Sequence, residues 1–442
     1  MRDIVLLAAM LGFVPLCLRS PAAGAICWAW VSIMNPHRQV YGFALGLQFN
    51  LVIAIATLLG WMLSAERKRW TPDFMPKLML IFVLWMTFNS CFAAVPDWSW
   101  DYWDRTMRGL ALVFLVFFIA DRKARIHGFV WIIVMSLGYY SVKGGIFTIL
   151  HGGQYIVFGP DASILGDNNH LALAVVMSLP LINYLRVHTR SRTIQFCLVA
   201  AVFLSIVMVL GSKSRGGAVA LGVTLVVLWL GARHKIAYAV VGGALLLAAV
   251  SFMPDSYFSR LDTINEADQD TSFAGRVTAW KIAIAIAMDR FPFGAGFYAQ
   301  QLPSVAYAYH LTEGLPLIGG AFAAHSIYFQ VLGEHGFVGL VIYLAILVLA
   351  LYNTMVISRQ TRTTPEFRWA YDLSVMIRAS LFGFYVGGAA LSMAYFDGFF
   401  VLIALLSTVR ELTDPSRTIF ARPASISPSK YDIRPAPIGS NE

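Results

Sequence analysis

The sequence predicts an all-α polytopic membrane protein, on three observations. Hydrophobic residues fill 58% of the 442 positions and charged residues only 13%. The mean hydropathy is +0.67. Apolar runs of about 20 residues, the length that crosses a hydrocarbon core, recur from one end of the chain to the other. A soluble chain of this size has no use for so much apolar surface, so one continuous bundle replaces a length-based domain count. The net charge of +9 does not point to nucleic acid, because the basic residues fall in short loops between spans, as topology requires. Cys17, Cys27, Cys91 and Cys197 lie inside apolar runs without CxxC spacing and read as small buried hydrophobes.

Taken in order, residues 4–34 form one apolar stretch broken at Arg19-Ser20-Pro21. Each half is short for a core of about 30 Å, so the stretch counts as a single broken span. Its start resembles a signal peptide but lacks a cleavage site and runs straight into more apolar sequence, so it is read as retained. Further spans are expected near 45–63, 78–95, 109–120, 128–150, 168–185, 194–210, 217–232, 236–253, 337–357, 379–394 and 398–409, which makes about twelve. The organisation expected is an N-terminal transmembrane bundle over 1–253, one large loop containing helices over 254–336, C-terminal transmembrane helices over 337–410, and a disordered cytoplasmic tail over 411–442 with little apolar content.

Charge orients these spans. Segments 64–77, 121–125, 186–193, 233–235, 358–378 and the tail from Arg410 carry 21 Lys and Arg; the intervening segments carry nine, namely Arg38, Arg105, Arg108, Lys213, Arg215, Arg260, Arg276, Lys281 and Arg290. Short basic loops stay cytoplasmic, so the first group is expected inside, the second outside, and both termini inside. Trp98, Trp100, Tyr102 and Trp103 then sit at an outer boundary, where belt anchoring is preferred over a sugar-stacking platform.

Reactive residue types gather on the expected outer side: Asp167-Asn168-Asn169-His170, Lys213-Ser214-Arg215, Arg276, His325, Glu334 and His335. No ATP is available there, so a synthetic reaction needs a donor activated beforehand, such as a polyprenyl diphosphate sugar. A diphosphate calls for cations, and the arginine fork grips two oxygens at once. Arg215 lies beside Gly216-Gly217 and opposes the charge bias, which favours function over a snorkelling anchor. Arg276 and Trp280 are one helical turn apart and share a face of an Ala/Ile-rich helix, where a plain structural pair is an equal reading. His325 stands where a helix enters the apolar run from Phe337; its neutral imidazole can take a proton from a hydroxyl, and neighbouring arginines favour that form. Glu334 and His335 read as structural. Asp268-Gln269-Asp270 matches the DxD of metal-dependent glycosyltransferases, but a lone DxD in an acidic loop is a weak signal, and no HExxH, GxSxG or Walker sequence is present.

At these residues the chain resembles the O-antigen ligase and oligosaccharide polymerase superfamily. The matching pieces are Gly166-Asp167-Asn168-Asn169-His170-Leu171-Ala172, Ser214-Arg215-Gly216-Gly217, Arg276 with Trp280, Pro292-Phe293-Gly294-Ala295-Gly296, and Ala324-His325-Ser326 through Gly336. Asn35-Pro36-His37-Arg38, Val142-Lys143-Gly144-Gly145 and Leu332-Gly333-Glu334-His335-Gly336 look closer to the O-glycosylation ligases found beside exosortase systems in Gram-negative bacteria. Asp167-Asn168 departs from the simpler Asn-containing motif of many relatives.

The resemblance implies a GT-C-like glycosyltransferase of the bacterial inner membrane, with its active site on the periplasmic face and in the 254–336 loop. It would transfer undecaprenyl-diphosphate-linked glycan, with inversion and without metal or other cofactor, to a hydroxyl of lipid A-core. Arg215 and Arg276 would hold the diphosphate, His325 would orient or deprotonate the acceptor, and Lys213, Trp280, Asn168 and Asn169 would contact substrate. A serine or threonine of an exported protein, or a growing chain as in a polymerase, are alternative acceptors. A lipid or polysaccharide transporter is the reading from another class; it is disfavoured because Lys143 is the one clear charge inside an expected span and no internal repeat is seen.

Overall fold

The computed structural model describes residues 1–66, 68, 70–232, 234–251, 271–313 and 323–414. Among these residues there are fifteen α-helices and no strand. In chain order they are α1 (Arg2–Arg19), α2 (Pro21–Met34), α3 (Phe49–Leu63), α4 (Phe74–Ser90), α5 (Pro96–Ile119), α6 (Lys123–Leu150), α7 (Asn168–His188), α8 (Arg192–Gly211), α9 (Arg215–Gly231), α10 (Lys235–Val250), α11 (Thr271–Asp289), α12 (Pro303–Glu313), α13 (Ile327–Thr361), α14 (Arg368–Gly388) and α15 (Asp397–Leu412). Four of them, α6, α7, α8 and α13, are long and apolar enough to cross a membrane by length and composition, against the roughly twelve spans expected. Five more, α2, α3, α4, α9 and α10, are apolar but shorter. The Asp268-Gln269-Asp270 motif, Arg260 and the tail from residue 415 lie outside the described residues.

Two helices form the core of the bundle. α7 packs against α6, α8, α9 and α14, and Leu171 to Ile182 along it are all buried. α15 is buried from Gly398 to Val409. Helices that are apolar all round belong in such interiors.

The loops expected to share one side meet at one end of the bundle. Arg125 pairs with Glu66 at 2.6 Å, His188 with Asp372 at 3.2 Å, and Arg410 with Asp73 at 3.1 Å. Asp73 also accepts hydrogen bonds from Ser407 at 2.6 Å and Asn353 at 3.0 Å.

Residues 4–34 depart from the single broken span expected. Ser20 is extended and caps α2, whose first residue is Pro21, and Phe13 meets Trp30 across the turn with ring centroids 5.8 Å apart. α1 and α2 are therefore a helical hairpin. Its free end sits with residues 42–44, where the Asp3 carboxylate accepts the N–H groups of Gly42 and Ala44, each at 3.1 Å. The first residues thus lie at the end opposite the basic loops, which corrects the expectation that the N-terminus shares their side. Arg19-Ser20-Pro21 is compatible in sequence with either a kink or a reversal, and periodicity alone does not separate the two.

α13 is interrupted at Gly336, whose φ of 68° and ψ of −170° are non-helical. A break in an apolar bundle frees carbonyls that no water reaches, and each must find a donor. Here Ala295 N–H donates to the Gly333 carbonyl at 2.9 Å, and Gly296 N–H to that of Glu334 at 2.9 Å. Asn89 Nδ2 also reaches the Glu334 carbonyl at 2.8 Å, and Trp85 Nε1 reaches that of His335 at 2.9 Å. Asn89 Oδ1 in turn accepts Gly294 N–H at 3.0 Å. The Pro292-to-Gly296 segment therefore runs along the break as a strip of replacement donors. A side chain at Gly336 would overlap the Pro292 carbonyl and Phe293 backbone.

Gly336→Ala is expected to lower unfolding stability by at least about 2 kcal/mol, from left-handed backbone cost plus overlap. Gly138→Ala, where an added Cβ meets nothing within 4 Å, should leave it unchanged or slightly raised. Thermal unfolding of the two variants in detergent measures the difference.

Candidate functional site

Three helices begin at the end of the bundle opposite the basic loops. Asp167 caps α7, its Oδ1 accepting from Asn169 N–H at 2.9 Å and His170 N–H at 3.2 Å. Ser214 caps α9, its Oγ accepting from Gly217 N–H at 2.9 Å. α13 follows Ala324-His325-Ser326 without a side-chain cap bond.

α14 sets their spacing. A Cβ at Gly387 would come within 2.6 Å of Leu173 on α7 and 2.8 Å of Ala220 on α9. One at Gly388 would come within 2.7 Å of Ile327 on α13. Small residues let membrane helices approach this closely.

Each expected site residue has a definite place. Asn168 donates through Nδ2 to the Ser212 carbonyl at 2.7 Å and accepts through Oδ1 from Asn169 Nδ2 at 3.2 Å. The two amides thus tie the start of α7 to the turn before α9. Lys213 occupies a left-handed conformation with φ 54°, and its Nζ donates to the Gln154 carbonyl at 2.8 Å. Arg215 is the exposed first residue of α9. Arg276 lies half-buried on α11. On the same helix, Trp280 donates from Nε1 to the Ala324 carbonyl at 2.7 Å and stacks on Phe329 with centroids 5.0 Å apart.

His325 is half-buried and has a left-handed backbone with φ 43°. Burial holds its imidazole below the ordinary histidine pKa; Arg276 and then His170 push the same way, and Asp167 opposes them. The ring is therefore neutral at pH 7 and able to accept a proton. The same electrostatic neighbours put α7, α11 and the start of α13 at one place. His170 Nδ1 lies 2.9 Å from the Ile164 carbonyl, so that nitrogen carries the proton.

Together these elements make a cationic, anion-receptive end. Helix N-termini carry roughly half a positive charge each and expose free N–H groups; Arg215, Arg276 and Lys213 add full charges beside them. Among the described residues no three His, Cys, Asp or Glu side chains gather closely enough to hold a metal ion.

The α13 break is fixed partly by residues that the sequence does not single out, Asn89 and Trp85. Glu334 and His335, read as structural, are buried in it. Glu334 Oε1 accepts Tyr298 N–H at 3.1 Å and Oε2 accepts the Tyr395 hydroxyl at 2.6 Å. Asn89 and Trp85 were hidden in an expected span; a lone amide in an apolar run was the available signal, since it must find a partner there. Asp397, one residue outside its expected span, is hydrogen-bonded to Ser32. The aromatic cluster on α5 gains Tyr298, which stacks on Tyr102 at 4.4 Å and on Trp98 at 5.5 Å.

Fold and site together define a multi-pass membrane protein with an anion-receptive cluster at one end of an all-α bundle. Residues 200–344, which carry Lys213, Arg215, Arg276, Trp280 and His325, match the family described as O-antigen ligase. Residues 1–190 match a family of unknown function. No curated protein matches the chain.

Arg276→Gln should raise the pKa of His325 while leaving it below the free-histidine value near 6.5, because burial remains. The pH dependence of carbethoxylation at His325, which needs the neutral ring, reads this by mass spectrometry. An unchanged midpoint would separate Arg276 from the imidazole.

Proposed function

We propose that the protein is an O-antigen ligase, a GT-C-like glycosyltransferase of the bacterial inner membrane with roughly twelve spans and its site on the periplasmic face. It transfers glycan from an undecaprenyl diphosphate carrier to a hydroxyl of lipid A-core, without a metal. The observation that carries this reading is the half-buried His325 at the start of α13, with Arg276, His170 and Asp167 acting on its ring, at the end of the bundle where α7 and α9, the latter headed by Arg215, also begin. That arrangement suits a reaction in which a diphosphate departs and a hydroxyl attacks.

The chemistry follows from charge. As the acceptor oxygen bonds to the anomeric carbon, the bond from that carbon to the phosphate oxygen breaks, and its electron pair stays on the diphosphate. Arg215 and Arg276 neutralise the charge developing there. His325 receives the hydroxyl proton on the opposite side, so the sugar inverts. The 254–336 segment supplies Arg276 and His325 and is the catalytic loop; Lys213, Asn168 and Asn169 hold the floor beneath the diphosphate.

Reconstituted protein given lipid-linked glycan and lipid A-core should form the joined product, and a chelator should not reduce it. Transfer only to a protein hydroxyl, or only to a growing glycan, would replace the acceptor and keep the chemistry. Movement of glycan across proteoliposomes without covalent transfer would reject the enzyme.

His325→Ala should cut transfer about 10²- to 10⁴-fold with the protein still folded, the usual range for a lost general base. Arg215→Lys should cost roughly tenfold or more, since a point charge does not reproduce the fork. The rate should climb from the acid side as His325 loses its proton, with a midpoint below about 6.5, and stay flat through neutrality. Full activity in either variant removes the assigned role.

A further inference from the structure

His325 has a backbone that few residues adopt. Its φ of 43° lies in the left-handed region, where a side chain other than glycine is strained by about 1–3 kcal/mol and persists only when its surroundings hold it. The device that usually fixes the entry to a helix is not in use here. Ser326 occupies the N-cap of α13 but makes no cap bond, and its buried Oγ has no hydrogen-bond partner. Restraint comes instead from α11, whose Trp280 Nε1 holds the Ala324 carbonyl at 2.7 Å. The same indole lies flat on Phe329, with an interplanar angle of 13°. One side chain therefore grips the residue immediately before His325 and the residue one turn after it.

We infer that Trp280 is the positioning residue for His325: its indole N–H, bonded to the Ala324 carbonyl, holds the imidazole at the site, and the indole does not bind substrate through that group. Arg276 lies one turn earlier on α11, so a single helix carries both the cation beside the imidazole and the clamp on its backbone. A shift in α11 moves both together. The inference rests on the reading of His325 as the reacting base, but the clamp is measurable without any transfer.

The test uses full-length protein in nanodiscs with benzothienylalanine at position 280, which keeps the shape of the bicyclic ring and replaces the N–H by sulfur. Trp280→Phe provides a second variant that retains the stack on Phe329. The primary readout is the pH profile of carbethoxylation at His325; Arg276 on α11, and His170 and Asp167 at the start of α7, are the charged and titratable groups acting on this ring. Loss of the N–H should let water reach the imidazole, moving the midpoint up and raising the plateau rate several-fold. Thermal unfolding should change little. Phe329→Leu, which removes the stacking partner and leaves the N–H in place, should leave the profile near that of the parent protein.

Where transfer is measurable, kcat should fall about tenfold with KM unchanged, as expected for a misplaced base. An unchanged carbethoxylation profile in both position-280 variants overturns the inference, as does a Phe329→Leu profile shifted as far as theirs. A shifted profile in a protein that transfers glycan to no acceptor keeps the clamp and rejects the glycosyl-transfer reading instead.

Discussion

The break in α13 at Gly336 is the constraint on which the rest of the site depends. Interrupting a helix inside an apolar bundle strands peptide carbonyls, and an unmatched group there costs several kcal/mol. The protein meets that demand with groups from two distant parts of the chain: the amides of Ala295 and Gly296, and the side chains of Asn89 and Trp85. As a result α4, the segment after α11 and the first half of α13 are locked to one another. The Pro292-to-Gly296 stretch, which in the sequence stands out only as a short motif of the resemblance, is held in register by backbone hydrogen bonds on both sides. α11 leads directly into that stretch, so its approach to the start of α13 is fixed as well.

Electrostatics and backbone geometry then act on the same spot. The starts of α7 and α9 are capped by Asp167 and Ser214, which orders their first turns, and the Asn168 bond to the Ser212 carbonyl couples them. The start of α13 is left uncapped by its own serine and carries the strained His325. His325 thus combines a left-handed backbone with a half-buried ring on which Arg276, His170 and Asp167 act, a backbone state that persists only where its surroundings hold it. The carboxylate of Asp167 moderates the field without cancelling it.

Much of the helical character was legible in the sequence, because apolar runs and loop charges are strong, repeated signals. The side-sorting of basic loops is recovered in the Arg125–Glu66, His188–Asp372 and Arg410–Asp73 pairs. The N-terminal hairpin was not legible: Ser20 and Pro21 can begin a kinked continuation or a reversal, and only the contact of Phe13 with Trp30 and the Asp3 tie to Gly42 decide it. Among the candidate site residues, His325 and Arg276 are singled out in the sequence by chemistry and placement, and the structure puts them near each other. Trp280 was found as a neighbour of Arg276, but its bond to Ala324 spans 44 residues and leaves no local pattern. The same holds for Asn89 with Glu334 and Gly294, where the partners are backbone atoms and no residue type marks them.

The glycines at the end of α14 act as a gauge. Because Gly387 and Gly388 bring that helix against Leu173, Ala220 and Ile327, the separation of the three helix starts is set by main-chain thickness. A Cβ at Gly387 would displace α7 and α9, and one at Gly388 would displace α13, so the two glycines together hold the three helix starts at their present distance from α14.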